Sequence, residues 1–181
     1  MKWTLLIVLL AAVSGVQAQE HIIKNTDAIV AESPINIASE KVNKLFVAPP
    51  AAFNRLKSAG AVDTKIEVTY EGFPQEAIRA FEYAVSIWES LITSPVPIKV
   101  LAKWEEIDGN VLALSRPETF HVDFDGVPFS NIYYPVALAE KLSGKDINNG
   151  APDIICRFNS KYSWYFGTDG NTPVTQYDFV S

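Results

Sequence analysis

Polar and apolar residues change their spacing along the chain, and each spacing predicts an element. Lys65-Ile66-Glu67-Val68-Thr69-Tyr70 alternates strictly and is rich in β-branched residues, as a half-buried strand is. Gly72-Phe73-Pro74 turns the chain, and Pro74 suits the first position of a helix. From there Ile78, Phe81, Val85, Trp88 and Ile92 recur every three or four residues. Ala77, Ala80, Ala84, Ile87 and Leu91 do the same on the adjoining face, leaving a narrow polar stripe of Glu76, Arg79, Glu82, Ser86 and Glu89. Such spacing predicts a helix over 75–93, apolar around most of its circumference and packed deep against a sheet. It must stop before Pro95, because a proline disfavours the helical conformation in the residue before it.

Pro97-Ile98-Lys99-Val100-Leu101-Ala102-Lys103-Trp104 reads as a second strand, making a strand–helix–strand crossover with the first. Asp153-Ile154-Ile155-Cys156-Arg157-Phe158-Asn159 reads as a third, with Ile154, Cys156 and Phe158 on one face. Between them, 105–151 reads as a long irregular connection with one short helix at 135–142, opened by Pro135 and closed by Gly144. The fold class expected is therefore α+β (or α/β), a mixed sheet with one long buried helix packed on it.

The N-terminal pattern is different. Lys2, an apolar run from Trp3 to Val13, and small residues around Val16-Gln17-Ala18 form a secretory signal peptide over 1–18. The run is shorter than the roughly 20 apolar residues that span a bilayer. Residues 19–62 lack periodicity and contain Val47-Ala48-Pro49-Pro50, so they read as a leader or extended arm. The remainder, 63–181, reads as one domain.

Charge and composition narrow the function. With 15 Lys+Arg against 21 Asp+Glu, the chain lacks the basic excess of a nucleic-acid binder. A single cysteine excludes an intrachain disulfide and a Cys-rich zinc module. On a strand face, Cys156 is expected to be a small buried hydrophobe. The two histidines, His21 and His121, and the lack of any G-x-S-x-G string argue against serine or cysteine catalysis. His121, Asp123 and Asp125 alternate and could bind a cation weakly, or form a polar β segment ending in the Asp125-Gly126 turn. Asp146-Ile147-Asn148-Asn149-Gly150 misses the calcium-loop spacing and reads as an Asx-rich turn. Glu105, Glu106, Asp123 and Asp125 could supply a glycosidase carboxylate pair, as in any acidic protein. Tyr162, Trp164, Tyr165 and Phe166 could stack on a sugar, border a peptide groove or pack as core.

Several strings resemble a family of secreted bacterial zinc metallopeptidases of the metzincin-like (zincin) type. They are Phe81-Glu82-Tyr83-Ala84-Val85-Ser86-Ile87-Trp88-Glu89-Ser90, Ser94-Pro95-Val96-Pro97-Ile98, and Trp164-Tyr165-Phe166-Gly167-Thr168-Asp169-Gly170. Tyr133-Tyr134-Pro135-Val136-Ala137-Leu138-Ala139 and Pro152-Asp153-Ile154 fit the same family, so the resemblance covers roughly 63–181. In that family the segment similar to Gln176-Tyr177-Asp178-Phe179-Val180 runs into a helix carrying H-E-x-x-H, whose histidines hold zinc and whose glutamate activates water. No H-E-x-x-H occurs in residues 1–181.

The resemblance implies an incomplete zincin-like domain, truncated before the metal helix. It would be the substrate-supporting N-terminal portion of a peptidase that acts on peptide or protein and needs zinc in its full-length form. The chain alone is expected to hold no zinc, to contain no catalytic or metal residue of that family, and to be inactive. Trp164, Tyr165, Phe166 and Gly167 are the expected substrate-binding residues, beside an edge strand. The alternative is a non-catalytic secreted module that binds protein or carbohydrate. Either reading expects an extracellular protein with no membrane span and no nucleic-acid partner.

Overall fold

A computed structural model describes residues 64–180 and the backbone of 21–24 and 34–37. The expected signal peptide (1–18) and the rest of the expected arm (19–62) lie outside the described residues. Four strands form the main mixed sheet: β3 (Ile66–Glu71), β4 (Ile98–Glu105), β5 (Val111–Pro117) and β8 (Ile154–Asn159). Two short arm strands add to the architecture, β1 (His21–Lys24) and β2 (Pro34–Ile37), the latter extending the main sheet to the order β2-β5-β8-β4-β3. Strands β3, β4 and β8 run parallel, β5 is antiparallel to β8, and β2 is antiparallel to β5. The sequence-predicted crossover is present, with β3 and β4 parallel neighbours in the register Val68↔Val100.

Helix α1 (Gln75–Leu91) joins β3 to β4. It starts one residue after Pro74, which caps it in extended conformation, and the Ile78 amide donates to Pro74 O at 3.1 Å. Its other end is tied down by Thr64, whose hydroxyl donates to Ile92 O at 2.7 Å and accepts the Ser94 amide at 2.8 Å. Glu89 stitches the helix to the sheet by accepting the Ile66 amide at 2.8 Å. Tyr70 does the same from the sheet side, donating to Glu82 at 2.6 Å. Burial is one-sided. Ala77, Ala80 and Val85 are buried, whereas Tyr83 and Trp88 are exposed, Trp88 by 58%. The expectation of a helix buried around most of its circumference therefore holds for one face only. Ala77 and Ala80 sit close to the strands, and Phe81 reaches Tyr70 and Phe158 beside them, while Tyr83 and Trp88 lie on the side away from the sheet.

The two faces of the sheet differ in chemistry. Ring contacts of Phe81 with Tyr70 and Phe158 place those residues on the α1 side. By alternation Cys156 shares that side, paired across the register with Ala102 and Ser115. The opposite side carries cross-strand ion pairs, Lys103–Glu71 at 2.9 Å and Arg157–Glu105. Over β3, β4 and β8 such alternation, apolar toward the helix and charged away from it, marks strands covered on one face.

A second, smaller layer lies inside the segment expected to be irregular. Strand β6 (Thr119–Val122) pairs antiparallel with β7 (Tyr134–Pro135) and with β1. Helix α2 (Val136–Ser143) follows, closed by Gly144 in left-handed conformation at φ 69°, as its sequence predicts. Phe124, Tyr134 and Ala139 form its core, with Val127 and Ile147 packed against them. Strand β5 escapes sequence reading because Leu112, Ala113 and Leu114 are all buried in succession. A strand buried on both faces shows an apolar run instead of alternation. The last pair, β9 (Trp164–Tyr165) and β10 (Tyr177–Asp178), is parallel.

Candidate functional site

The parallel strands β3, β4 and β8 end together, and aromatic side chains gather where they end. Phe73 follows β3, Trp104 lies near the end of β4, and Phe158 near the end of β8. Phe73 is 5.4 Å from Trp104 and 5.8 Å from Phe158 between ring centroids. Gly72 permits the turn that delivers Phe73: its φ is +72°, and a Cβ there would meet Trp104 O at 2.7 Å.

The four residues expected to contact substrate divide between two environments. Trp164 is 9% exposed, and its indole N–H donates to Asn159 O at 2.9 Å. Its ring packs on Trp104, Phe158, Tyr177 and Phe179. Phe166 packs on Trp104 and Phe179. These two therefore belong to the aromatic core. Tyr165 is partly exposed, and its hydroxyl donates to Asp169 Oδ1 at 2.6 Å. A Cβ on Gly167 would fall within the Tyr165 ring, so the space beside Gly167 is filled by the chain itself. Within the pair, β10 accompanies β9: Tyr177 N donates to Ser163 O at 2.9 Å and Phe179 N to Tyr165 O at 3.1 Å.

Asn159 organises this end of the sheet. It is fully buried, at 0% exposure. Its amide nitrogen donates to Ile107 O and Val111 O, each at 2.8 Å. Its side-chain oxygen accepts the amides of Ile107 at 3.2 Å and Lys161 at 3.1 Å. All four positions of the amide are used, so the loop joining β4 to β5 is fixed to the start of the 160–163 turn. Sequence reading passed over Asn159 because one asparagine at a strand end has no distinguishing spacing.

The other chemical candidates are dispersed. His121 is buried at 0% exposure within β6, but Asp123 takes φ 54° just after the strand and leaves the alternation. Asp123 accepts the Asn131 amide at 2.8 Å, and Asp125 pairs with Lys145 at 3.1 Å. Glu105 pairs with Arg157, and Glu106 with Lys161 at 3.3 Å. Each candidate glycosidase carboxylate is thus engaged with a partner of its own. Asp146 accepts the Gly150 amide at 3.0 Å, closing the turn 146–150. Cys156 lies against Ser115 at 3.5 Å, and burial pushes its thiol pKa up. Among the described residues no three of His, Cys, Asp and Glu converge as metal ligands, and no helix is long and apolar enough to cross a membrane.

The outer edge of the main sheet offers a different capacity. Strand β5 receives the arm strand β2 by backbone pairing, with Pro34 opposite Leu114, Asn36 opposite Ala113 and Ile37 opposite Val111. The register slips twice within those four residues, whereas β5 pairs with β8 in unbroken register over five. No family model matches the chain, and no curated protein or solved structure was found to be similar to it.

Proposed function

We propose that this chain is the substrate-supporting N-terminal portion of a secreted zinc-dependent peptidase that hydrolyses peptide bonds. The observation that carries the reading is the pairing of an extended segment, β2, along the antiparallel outer strand β5. An edge that accepts one extended segment through main-chain hydrogen bonds has the geometry to accept another, as in recognition by strand addition. The resemblance of strings in 63–181 to secreted zinc metallopeptidases supports the reading of the parent's chemistry, and the signal-like residues 1–18 support an extracellular destination. The described residues do not gather a ligand set, so they do not fit a zinc centre by themselves. On this reading the zinc would be held by residues outside 1–181. The chain then contributes the outer side of β5, where β2 lies in this structure, aligned by β8 and tied at one end of the sheet by Asn159.

The same edge would serve a non-catalytic secreted module that captures extended protein segments. Burial of Trp164 favours protein over carbohydrate for that module, because a buried ring offers no face on which a sugar can stack.

The reading frame beyond the Ser181 codon tests the proposal. An in-frame His-Glu-x-x-His is expected, with one zinc per chain and chelator-sensitive hydrolysis of an unfolded protein by the complete product. A complete product without that motif, zinc or hydrolysis would overturn it.

A further inference from the structure

Two carboxylates are buried on either side of the loop 144–152, which joins α2 to β8. Glu140, in the last turns of α2, is 3% exposed, and Asp153, just before β8, is 1% exposed. Glu140 Oε1 accepts the Ile147 amide at 3.1 Å. Asp153 accepts the Lys99 amide on Oδ2 and the Asn148 side-chain amide on Oδ1, both at 2.8 Å. The middle of the loop is therefore held by Glu140 at Ile147 and by Asp153 at the very next residue, Asn148. A third carboxylate, Asp146, accepts the Gly150 amide and pairs with Lys99 at 2.5 Å. Asn148 Oδ1 is buried and accepts from no donor.

The balance of charge here is unfavourable to full ionisation. Glu140 faces Asp153 at the head of β8, Asp146 in the loop and Lys99 on β4. On β6, which packs beside α2, the titratable residue is the buried His121; on α2 itself, Lys141 is exposed. Among the described residues Lys99 is the cation that faces these carboxylates, its closest oxygen belonging to Asp146, while Lys145 in the loop pairs outward with Asp125. Burial, then the charges of Asp153 and Asp146, push Glu140 up to about 7, and burial raises Asp153 too.

We propose that the loop 144–152 is a pH-responsive clasp, closed in mildly acidic solution while Glu140 keeps its proton and loosened when that proton is lost. The protonated acid still offers a carbonyl oxygen to the Ile147 amide and removes one of the like charges flanking Asn148. The sign follows from linkage. The folded state holds a proton that the unfolded state has already released, so its stability is greatest below the ordinary glutamate range. It falls as pH rises and levels off above about 7. This response belongs to the loop 144–152 alone, whether or not the parent protein is a peptidase.

Amide hydrogen exchange in the full chain, corrected for intrinsic rates and run in chelator between pH 5 and 8, reads the clasp directly. Protection at Ile147 and Gly150 is expected to drop by about tenfold or more across that interval. Glu140→Gln keeps an acceptor for Ile147 without the charge, and should hold protection constant. A flat profile in the wild-type chain, or the same drop in Glu140→Gln, overturns the proposal. The latter result would assign the pH dependence to another group such as His121. Should Glu140→Gln not fold, Asp153→Asn removes the neighbouring charge and must move the midpoint to lower pH; an unmoved midpoint likewise refutes the clasp.

Discussion

Phe179 lies across Phe158 with ring centroids 4.9 Å apart, so the C-terminal segment of the sequence is built into the sheet's aromatic end. The same ring also meets Phe73, Phe81, Trp104, Trp164 and Phe166. Phe179→Ala is expected to cost about 3 kcal/mol, since it opens a cavity where α1, β4, β8 and β9 meet. Phe179→Leu should recover most of that. Urea unfolding of the two variants measures both values, and a loss under about 1 kcal/mol for alanine would show that the ring sits loosely.

Asn159 gives a second test. Replacing it with Asp keeps the size but presents an oxygen to the Ile107 and Val111 carbonyls, which are both acceptors. That oxygen must carry a proton to be tolerated, so the folded-state pKa of the new carboxyl rises above its ordinary value. The variant should lose about 1–2 kcal/mol at pH 4, where one O–H replaces two N–H donors and leaves one carbonyl without its bond, and about 3 kcal/mol or more at pH 7.5, as the proton needed for the remaining bond becomes costly to hold. Chemical denaturation at the two pH values decides. Equal losses at both would mean that the Asn159 amide is not donating to those carbonyls.

The elements that could be read from the sequence were those whose environment differs between their two faces. Strand β3 alternates because Glu67 and Glu71 face away from α1, and α1 shows its period because one side meets the sheet. Strand β5 shows no such signal, because Leu112, Ala113 and Leu114 are buried together. Strands β1 and β2 fall in an arm with no periodicity, and their pairing is set by the edges of β6 and β5. The site was legible in part. The aromatic string at 164–166 is distinctive, but composition does not say which rings point inward. Glu140 and Asp153 were invisible as a pair, since 13 positions separate them and only the fold of the loop brings both to Asn148.

Cys156 should be chemically silent in the native protein. It lies on the α1 side of β8 beside Ser115, and burial raises its pKa, so the thiolate needed for reaction is scarce. A disulfide reagent at pH 8 is expected to modify it at least about tenfold more slowly than in the denatured chain. Equal rates would mean that the helix opens readily from this part of the sheet. Cys156→Ser should leave the fold intact but lower its stability by about 1–2 kcal/mol, because a hydroxyl is less readily buried than a thiol.

The aromatic segment at 164–167 supports a test that separates packing from recognition. Trp164→Ala removes a ring in contact with four others and the donor to Asn159 O, so it should cost about 3–5 kcal/mol. Tyr165→Ala removes a partly exposed ring whose hydroxyl is bonded to the nearby Asp169, and should cost no more than about 1 kcal/mol. Gly167→Ala forces the Tyr165 ring from its place, because the added methyl would fall within it. If Tyr165 serves only to cover Gly167, the double variant Tyr165→Ala/Gly167→Ala should be as stable as Tyr165→Ala alone. If Tyr165 contacts an extended ligand, both Tyr165→Ala and Gly167→Ala should weaken binding or raise KM in the complete protein with stability nearly unchanged. A Tyr165→Ala protein that loses several kcal/mol while its kinetics per folded molecule are unaltered would remove Tyr165 from the binding surface and leave it in the core.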